Sequence, residues 1–381
     1  MVVDMTTISM QMDIVLCTPY SIGPQYVQGG IVVWAQNIVG YYNSQSSDVN
    51  LHVVPFDRTG RTMEETRWLK RAWGGITEYW KPIQETKKCL KRGGYDVLHL
   101  CTSASLSLLK DIIVLKAAKR KGAQTVVHFH FGRIPELAEF GNWEWKLLLR
   151  VVRLADGVIT MDMRSFNTLK KQGFEHIRFL PNPLSTNIIQ QIKDEANGVS
   201  REERKLCFVG HVIPSKGIYE LVEACKGISG IKLHIIGKAA PEFRDRMIEL
   251  SGNAEWLVFE GEVNHQQVLR ELLSSSVFVL PTYTEGFPNV ILESMACGCA
   301  IATTQVGAIP EMLNIASEKP CGLCCDPKDV EGLRRNILFF LDNPDEAIEY
   351  GKRAMKRVNK MYSMPIVWGQ LIGIWREIIK V

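Results

Sequence analysis

The sequence predicts an α/β protein made of two doubly wound domains, each a parallel sheet with helices on both faces. Three observations predict it. Short β-branched runs alternate with longer stretches whose apolar residues recur at helical spacing, the signature of helix-covered parallel sheets. The alternation occurs twice, on either side of Pro181-Asn182-Pro183. The length of 381 residues exceeds one ordinary core and suits two.

The elements follow in order. The first twelve residues read as a lead-in. Strands are expected over residues 14–17, 97–101, 125–128 and 157–161 in the first block. In the second they fall at 206–209, 232–236, 257–259, 277–280 and 300–303. Helical spacing marks 106–119, 219–226 and 265–273 among the segments between them. Residues 185–205 are polar and charged with no strand pattern. These boundaries divide the chain into a first domain over 1–184, a linker over 185–204 and a second domain over 205–361. A terminal helix over 362–381 has Ile366, Trp368, Leu371, Ile372 and Trp375 free to pack. No repeat of 20–50 residues is visible.

Composition narrows the class. The chain is 46% hydrophobic and 23% charged, without low-complexity tracts. No apolar run reaches the roughly 18 residues of a membrane-spanning helix, and the N-terminus has no signal-peptide pattern. A cytoplasmic protein is expected. The ten cysteines lack the paired ligand spacing of a zinc site and are read as buried, reduced thiols. The net charge of +4 is uneven: residues 1–184 hold 23 Lys and Arg against 16 Asp and Glu, the remainder 22 against 25. A basic first half and a mildly acidic second suggest different partners for each. No recognition module accompanies the basic excess, so nucleic acid is not expected.

The strongest chemical signal runs from Pro281 to Glu293, as Pro-Thr-Tyr-Thr-Glu285-Gly-Phe287-Pro288-Asn289-Val290-Ile-Leu-Glu293. An apolar strand enters a turn and a helix opens at Pro288, a residue suited to the first helical position. Amides exposed at such a start, aided by the helix dipole, bind anions. Glu285 lies at the strand's carboxyl end, where open parallel sheets hold ligands. A second constellation, Phe208-Val209-Gly210-His211-Val212-Ile213-Pro214-Ser215-Lys216-Gly217, also links a strand to a helix. In the first half, Gly29-Gly30 introduces a helix and lets the backbone approach a ligand closely. His128 and His130 alternate along a strand and so share one face; two histidines without a third ligand do not make a metal site.

These motifs resemble the retaining glycosyltransferases of family four, of bacterial polysaccharide and glycolipid type, with the GT-B fold. Their signature is two glutamates separated by seven residues in a Glu-Gly-Phe context, here Glu285-Gly286-Phe287 and Glu293-Ser294-Met295-Ala296. Weaker agreement extends over most of the chain, at Asp96-Val97-Leu98-His99, Asp156-Gly157-Val158-Ile159, Pro181-Asn182-Pro183 and Gly307-Ala308-Ile309-Pro310-Glu311. The resemblance implies two Rossmann-like domains facing across a cleft, with the C-terminal helix crossing back to the first. It assigns Glu285 to the transferred sugar, amides near Phe287, Pro288, Asn289 and Val290 to the phosphates, and Glu293 to the ribose hydroxyls. Gly210, His211 and Lys216 would line the donor diphosphate, with Lys216 matching the family's lysine and His211 standing where an arginine is usual. Gly29 and Gly30 would face the phosphates from the other domain. His130, with Glu285 and Lys216, would complete the catalytic set.

The expected reaction moves a sugar from a nucleotide-diphosphate sugar, a UDP-sugar by preference, to a glycan or polyprenyl-diphosphate-linked acceptor in cell-surface polysaccharide synthesis. No cofactor is expected, and with no Asp-x-Asp pair at a strand end no catalytic metal. Trp68, Trp73 and Trp80 interleave with Arg67, Lys70, Arg71 and Lys81, and Trp143 and Trp145 sit near Lys146 and Arg150. That pattern suits a peripheral place on an anionic inner-leaflet surface. Two alternatives share the architecture: a nucleotide-sugar epimerase, and a non-catalytic carbohydrate- or lipid-binding protein.

Overall fold

The computed structural model describes residues 11–20, 29–45, 48–56 and 80–380. Trp68, Trp73, Arg67, Lys70 and Arg71 lie outside them, as does all but the last two residues of the lead-in. The chain divides into two compact units, Met1–Pro181 with Trp368–Val381, and Asn182–Val367.

The first unit holds β1 (Met12–Thr18), α1 (Gly30–Ser44), β2 (Val49–Pro55), α2 (80–90 as described), β3 (Val97–Thr102), α3 (Ser107–Lys119) and β4 (Gln124–Phe129). After these come α4 (Ile134–Phe140), α5 (Trp143–Leu154), β5 (Gly157–Thr160), α6 (Met163–Lys171) and β6 (Ile177–Phe179). Its strands form a parallel sheet in the order β2-β1-β3-β4-β5-β6. The inner strands β3 and β5 are buried along their whole length, because helices cover both faces. The strand order reverses between β1 and β3, which opens a crevice at their carboxyl ends.

The second unit holds α7 (Thr186–Ala196), β7 (Glu202–Val209), a 3-10 turn (Pro214–Lys216), α8 (Ile218–Cys225), β8 (Lys232–Ile236), α9 (Pro241–Leu250) and β9 (Leu257–Gly261). It continues with α10 (His265–Ser274), β10 (Ser275–Leu280), α11 (Asn289–Ala296), β11 (Ala300–Thr304), α12 (Ile309–Met312) and β12 (Leu323–Cys325). Helices α13 (Val330–Asp342) and α14 (Pro344–Met361) complete it. The parallel order is β12-β11-β10-β7-β8-β9, so the reversal here lies between β10 and β7. Both chemical loops of the second half leave the carboxyl ends of those two strands. The final helix, α15 (Met364–Ile379), begins in the second unit and belongs to the first from Trp368 onward.

Three local readings need correction. Residues 185–204, expected as a linker without strand pattern, hold helix α7 and the start of β7: Ser185 caps α7 by accepting from Ile188 N at 3.2 Å. The apolar stripe of α7 is narrow, with Ile192 its buried residue, and its polar bulk hides the period. Strand β7 starts at Glu202 because its exposed first residues extend past the cover of the helices. Pro288 is the residue before the helix and not its first turn: its backbone is extended (φ −74°, ψ 116°) and its carbonyl accepts from Ile291 N. The ten cysteines are all free thiols, eight of them buried.

Candidate active site

In the second unit, the turn between β10 and α11 is held from three sides. The loop after β7 supplies the carbonyl of Ser215, which accepts from Tyr283 N at 2.9 Å and from Thr282 Oγ1 at 3.4 Å. From β11, Thr304 Oγ1 donates to the Thr282 carbonyl, and Ala308 N beyond it donates to the Gly286 carbonyl at 2.9 Å. Asn182 Nδ2 reaches the Phe287 carbonyl at 3.4 Å, while the buried Phe287 ring packs edge-on against Tyr362. Two glycines make this bracing possible. Gly217 and Gly307 both lie in the left-handed region (φ 71° and 54°), and a Cβ on either would fall within 2.2 Å of a backbone carbonyl oxygen of the turn.

That frame sets the charges. Lys216 Nζ donates to Glu285 Oε1 in a close ion pair, with both side chains largely withdrawn from solvent. Tyr283 OH donates to Glu220 Oε1 at 2.7 Å, and Lys328 Nζ sits 5.1 Å from the Tyr283 ring centroid, a second cation beside the turn. No side chain caps α11. Its first-turn amides, Asn289 and Val290, therefore face outward without an intrahelical partner. One turn further along, Glu293 Oε1 lies 3.0 Å from His265 Nε2, and this hydrogen bond raises the His265 pKa above its ordinary value against the opposing effect of burial. Gly210 ends the β7 strand and donates its amide to the Ile236 carbonyl. His211 is exposed, and no hydrogen bond or ion pair holds its side chain among the described residues.

In the first unit, Gly29 precedes α1 in extended conformation, and its carbonyl accepts from Val32 N and Val33 N. Among the described residues, a Cβ on Gly29 or Gly30 would meet nothing within 4 Å. His130 follows β4. Its ring stacks on His128 at 3.9 Å between centroids and meets Trp34 edge-on at 4.8 Å. None of the four ring nitrogens of this pair has a hydrogen-bond partner among the described residues. Burial presses the His130 pKa down to about 3, assisted by the His99 charge, and that of His128 well below its ordinary value. Both rings are therefore neutral at pH 7.

His99, Cys101 and His128 bring one donor atom each within 4.8 Å of one another. They do not fit a metal. Trp375 Nε1–H donates to His99 Nδ1 at 3.0 Å, which uses the one lone pair of a neutral ring and leaves Nε2 carrying the proton. An Nε2–H cannot ligate, and the group is a tautomer lock between α15 and the sheet.

Residues 28–188 match the family model described as Glycosyltransferase Family 4, and residues 189–357 the one described as Glycosyl transferases group 1. The two adjoining matches cover every strand of both sheets except β1. The chain belongs to the family-four glycosyltransferases. It is 24% identical over 234 residues to the capsular polysaccharide biosynthesis glycosyltransferase CapM of Staphylococcus aureus, covering 58% of this chain and 59% of that one. The chain spans about half the length of the curated relatives it matches. In fold it is similar to sucrose-phosphate synthase of Thermosynechococcus elongatus, with TM-score 0.74, 19% identity and coverage of 97% of this chain and 99% of that one. It is also similar to HepE of Anabaena, solved with UDP-glucose, at TM-score 0.67, 15% identity and coverage of 96% and 100%. The two sheets are thus the two Rossmann-like domains of a GT-B protein.

Within this family-four frame, the structure joins Lys216 to Glu285 and brings Gly210, Phe287, Pro288, Asn289, Val290 and Glu293 to one switch point. It places Gly29, Gly30 and His130 at the carboxyl edge of the other sheet. Sequence reasoning missed His265, Tyr283, Lys328 and Asn182. His265 opens α10 and Lys328 follows β12, so contact with this site is their only signal, while Tyr283 stood inside the quoted Pro281–Glu293 segment without a role. Asn182 sat in the quoted Pro-Asn-Pro, where the asparagine was readable as a loop residue alone.

Proposed function

We propose that this protein is a retaining glycosyltransferase that moves a sugar from a nucleotide-diphosphate donor, by preference a UDP-sugar, to a glycan or polyprenyl-diphosphate-linked acceptor in cell-surface polysaccharide synthesis. The observation that carries the reading is the Lys216–Glu285 pair beside an uncapped helix start at the β7/β10 switch point. The capsular role in the name of CapM and the UDP-glucose bound to HepE agree with it.

The residues divide the work. The donor diphosphate takes the Asn289 and Val290 amides, and Lys216 supplies the full charge. Preorganised donors of this kind are commonly worth about 3–4 kcal/mol each in the transition state. Glu285, relieved of its lysine as phosphate arrives, accepts hydrogen bonds from hydroxyls of the transferred sugar. Glu293 accepts from the ribose hydroxyls, with His265 orienting its carboxylate. As the bond from the anomeric carbon to the diphosphate breaks, the leaving oxygen keeps the electron pair. The acceptor hydroxyl attacks from the same face and passes its proton to that oxygen, so configuration is retained. His130, neutral, is the family's residue beside the reacting sugar. The His211 position carries no fixed guanidinium charge, which puts more of the diphosphate load on Lys216. The chemistry proposed needs no divalent cation.

Thermal-shift measurement against UDP, UDP-glucose and GDP-mannose tests the donor. Ligand at about 100 times its dissociation constant adds roughly 2.7 kcal/mol, a rise of about 5 °C or more for a domain of this size. Lys216→Ala should abolish the rise without lowering the ligand-free melting temperature by more than a few degrees. Wild-type sugar transfer by both Lys216→Ala and Glu285→Ala, as folded proteins, would sink the assignment. Donor binding without turnover in the presence of lipid-linked acceptor would favour the binding-protein alternative.

A further inference from the structure

The first unit carries a face that the donor chemistry does not use. Helices α3 and α5 pack against each other, and both start at the carboxyl edge of the sheet, the edge where His130 follows β4. On α3 the exposed residues are Leu109, Ile113, Lys116 and Lys119, with Leu106 just before it and Arg120 just after. On α5 they are Trp143, Lys146, Arg150 and Arg153, one stripe at helical spacing. Each helix therefore presents apolar side chains at the carboxyl edge and cations further back.

The apolar end is built deliberately. Ala104 and Ser105 both adopt left-handed backbone (φ 68° and 59°), a conformation that costs a non-glycine residue free energy and calls for compensation. The Ser105 amide and hydroxyl both donate to Glu144 Oε1, at 2.9 and 3.0 Å. That clamp buries the acid of α5 and ties the start of α3 to the start of α5, where Leu106 and Trp143 stand. Phe140 stands at the end of α4, three residues before Trp143, and is 74% exposed; Leu106 and Trp143 are 54% and 53% exposed. Trp145, by contrast, is buried and belongs to the core. Large aromatic and aliphatic side chains exposed together mark a docking surface rather than ordinary surface scatter.

The charge behind the tip names the occupant. Lys116, Arg120, Lys146 and Arg150 have no ion-pair partner among the described residues, and the exposed faces of α3 and α5 carry no acid. We propose that this face docks on an anionic phospholipid bilayer. Phe140, Trp143, Leu106 and Leu109 enter the interface, and the four cations sit over the headgroups. An apolar tip with cations set back from it matches the depth profile of a membrane surface, where aromatic residues lie at headgroup level and cations are drawn to the negative leaflet. The proposal goes beyond donor chemistry and holds whether or not the chain transfers sugar. Docked this way, the edge that bears His130 faces the layer in which a lipid-linked acceptor would lie.

Vesicle co-sedimentation of the full chain tests it, without nucleotide sugar and without glycolipid, so the outcome is separate from the donor reading. The probes are vesicles of phosphatidylcholine and vesicles containing about 30% phosphatidylglycerol. The chain should partition onto the anionic vesicles and much less onto the neutral ones. A cation near such a surface is worth about fivefold in partition. Lys146→Ala with Arg150→Ala should therefore lower binding roughly 30-fold, and 0.5 M salt should do likewise. Phe140→Ser with Trp143→Ser should abolish binding while leaving the UDP-induced thermal shift unchanged. Two results overturn the proposal. One is equal recovery of wild type and both double variants from anionic vesicles. The other is a dimer in sedimentation velocity that Trp143→Ser dissociates, with no vesicle binding, which would make the face a contact with a second copy.

Discussion

Gly307→Ala is the sharpest test of the idea that the Glu285 turn is a braced, preorganised element. At φ 54° the new Cβ would lie 2.2 Å from the Glu285 carbonyl oxygen and 2.8 Å from that of Gly286. Carbon and oxygen approach to about 3.3 Å, so the turn must retreat by about 1 Å or the 305–308 loop must move by as much. Either motion strains the hydrogen bond from Ala308 N to the Gly286 carbonyl, now 2.9 Å. The left-handed backbone costs alanine roughly 1–2 kcal/mol, and overpacking adds about 1–3 kcal/mol. Gly252→Ala separates the two terms: its φ is 79° and, among the described residues, a Cβ there meets nothing within 4 Å. It should lose the backbone cost alone. A displacement of about 1 Å at a site of this kind can cost around 10²-fold in rate. Melting temperature, UDP titration and sugar transfer should be measured on both variants. The expected pattern is a larger melting loss for Gly307→Ala and roughly 10²-fold slower transfer, with Gly252→Ala catalytically normal. Transfer at the wild-type rate, with a melting loss no larger than that of Gly252→Ala, would show that the turn is not held as argued.

Two pH dependences follow. His99 and His130 have pKa values pressed to about 3 by burial, and His128 is lowered with them, so the unfolded chain binds more protons than the folded one below about pH 6.5. Stability should be full at neutral pH and fall as the pH drops from about 6.5 toward 3, by about tenfold in the folding equilibrium per pH unit per histidine. Denaturant unfolding at pH 7 and pH 5 measures it, and His128→Phe should flatten the slope. His265 runs the other way. Its pKa is raised by Glu293, so its contribution is complete below the ordinary histidine range and is lost as pH rises through the raised value. His265→Gln should remove that alkaline-side decline while leaving the acid limb untouched; an unchanged alkaline limb would count against the Glu293 pairing.

Most strands legible in the sequence were buried on both faces; the edge strand β9 was read from its short apolar run Leu257–Phe259. Strands β3, β4, β5 and β10 are almost wholly buried because helices cover each side of them, and such runs announce themselves. The strands that escaped notice lie at sheet edges. β2 is half-buried along Asn50, His52 and Val53, and β6 and β12 are three residues each, too short to show a period. The same logic hid α7, whose single buried residue leaves no stripe to read. At the candidate site, Glu285, Glu293 and Lys216 stood out through local motif and resemblance, and so did His130.

By itself, then, the sequence determined the two α/β units, the residue types at the β7 and β10 loop ends, and a family. Local composition suffices for these, because burial and turn chemistry act over a few residues. Tertiary structure decided that Lys216 and Glu285, 69 residues apart, neutralise each other, and that Gly307 holds the turn by yielding space to its carbonyls. It also decided that Trp375 fixes the tautomer of His99 from 276 residues away. Trp145 went to the core while Trp143 went to the surface for the same reason. Pairing and exposure are properties of which elements pack together, and no window of sequence contains them.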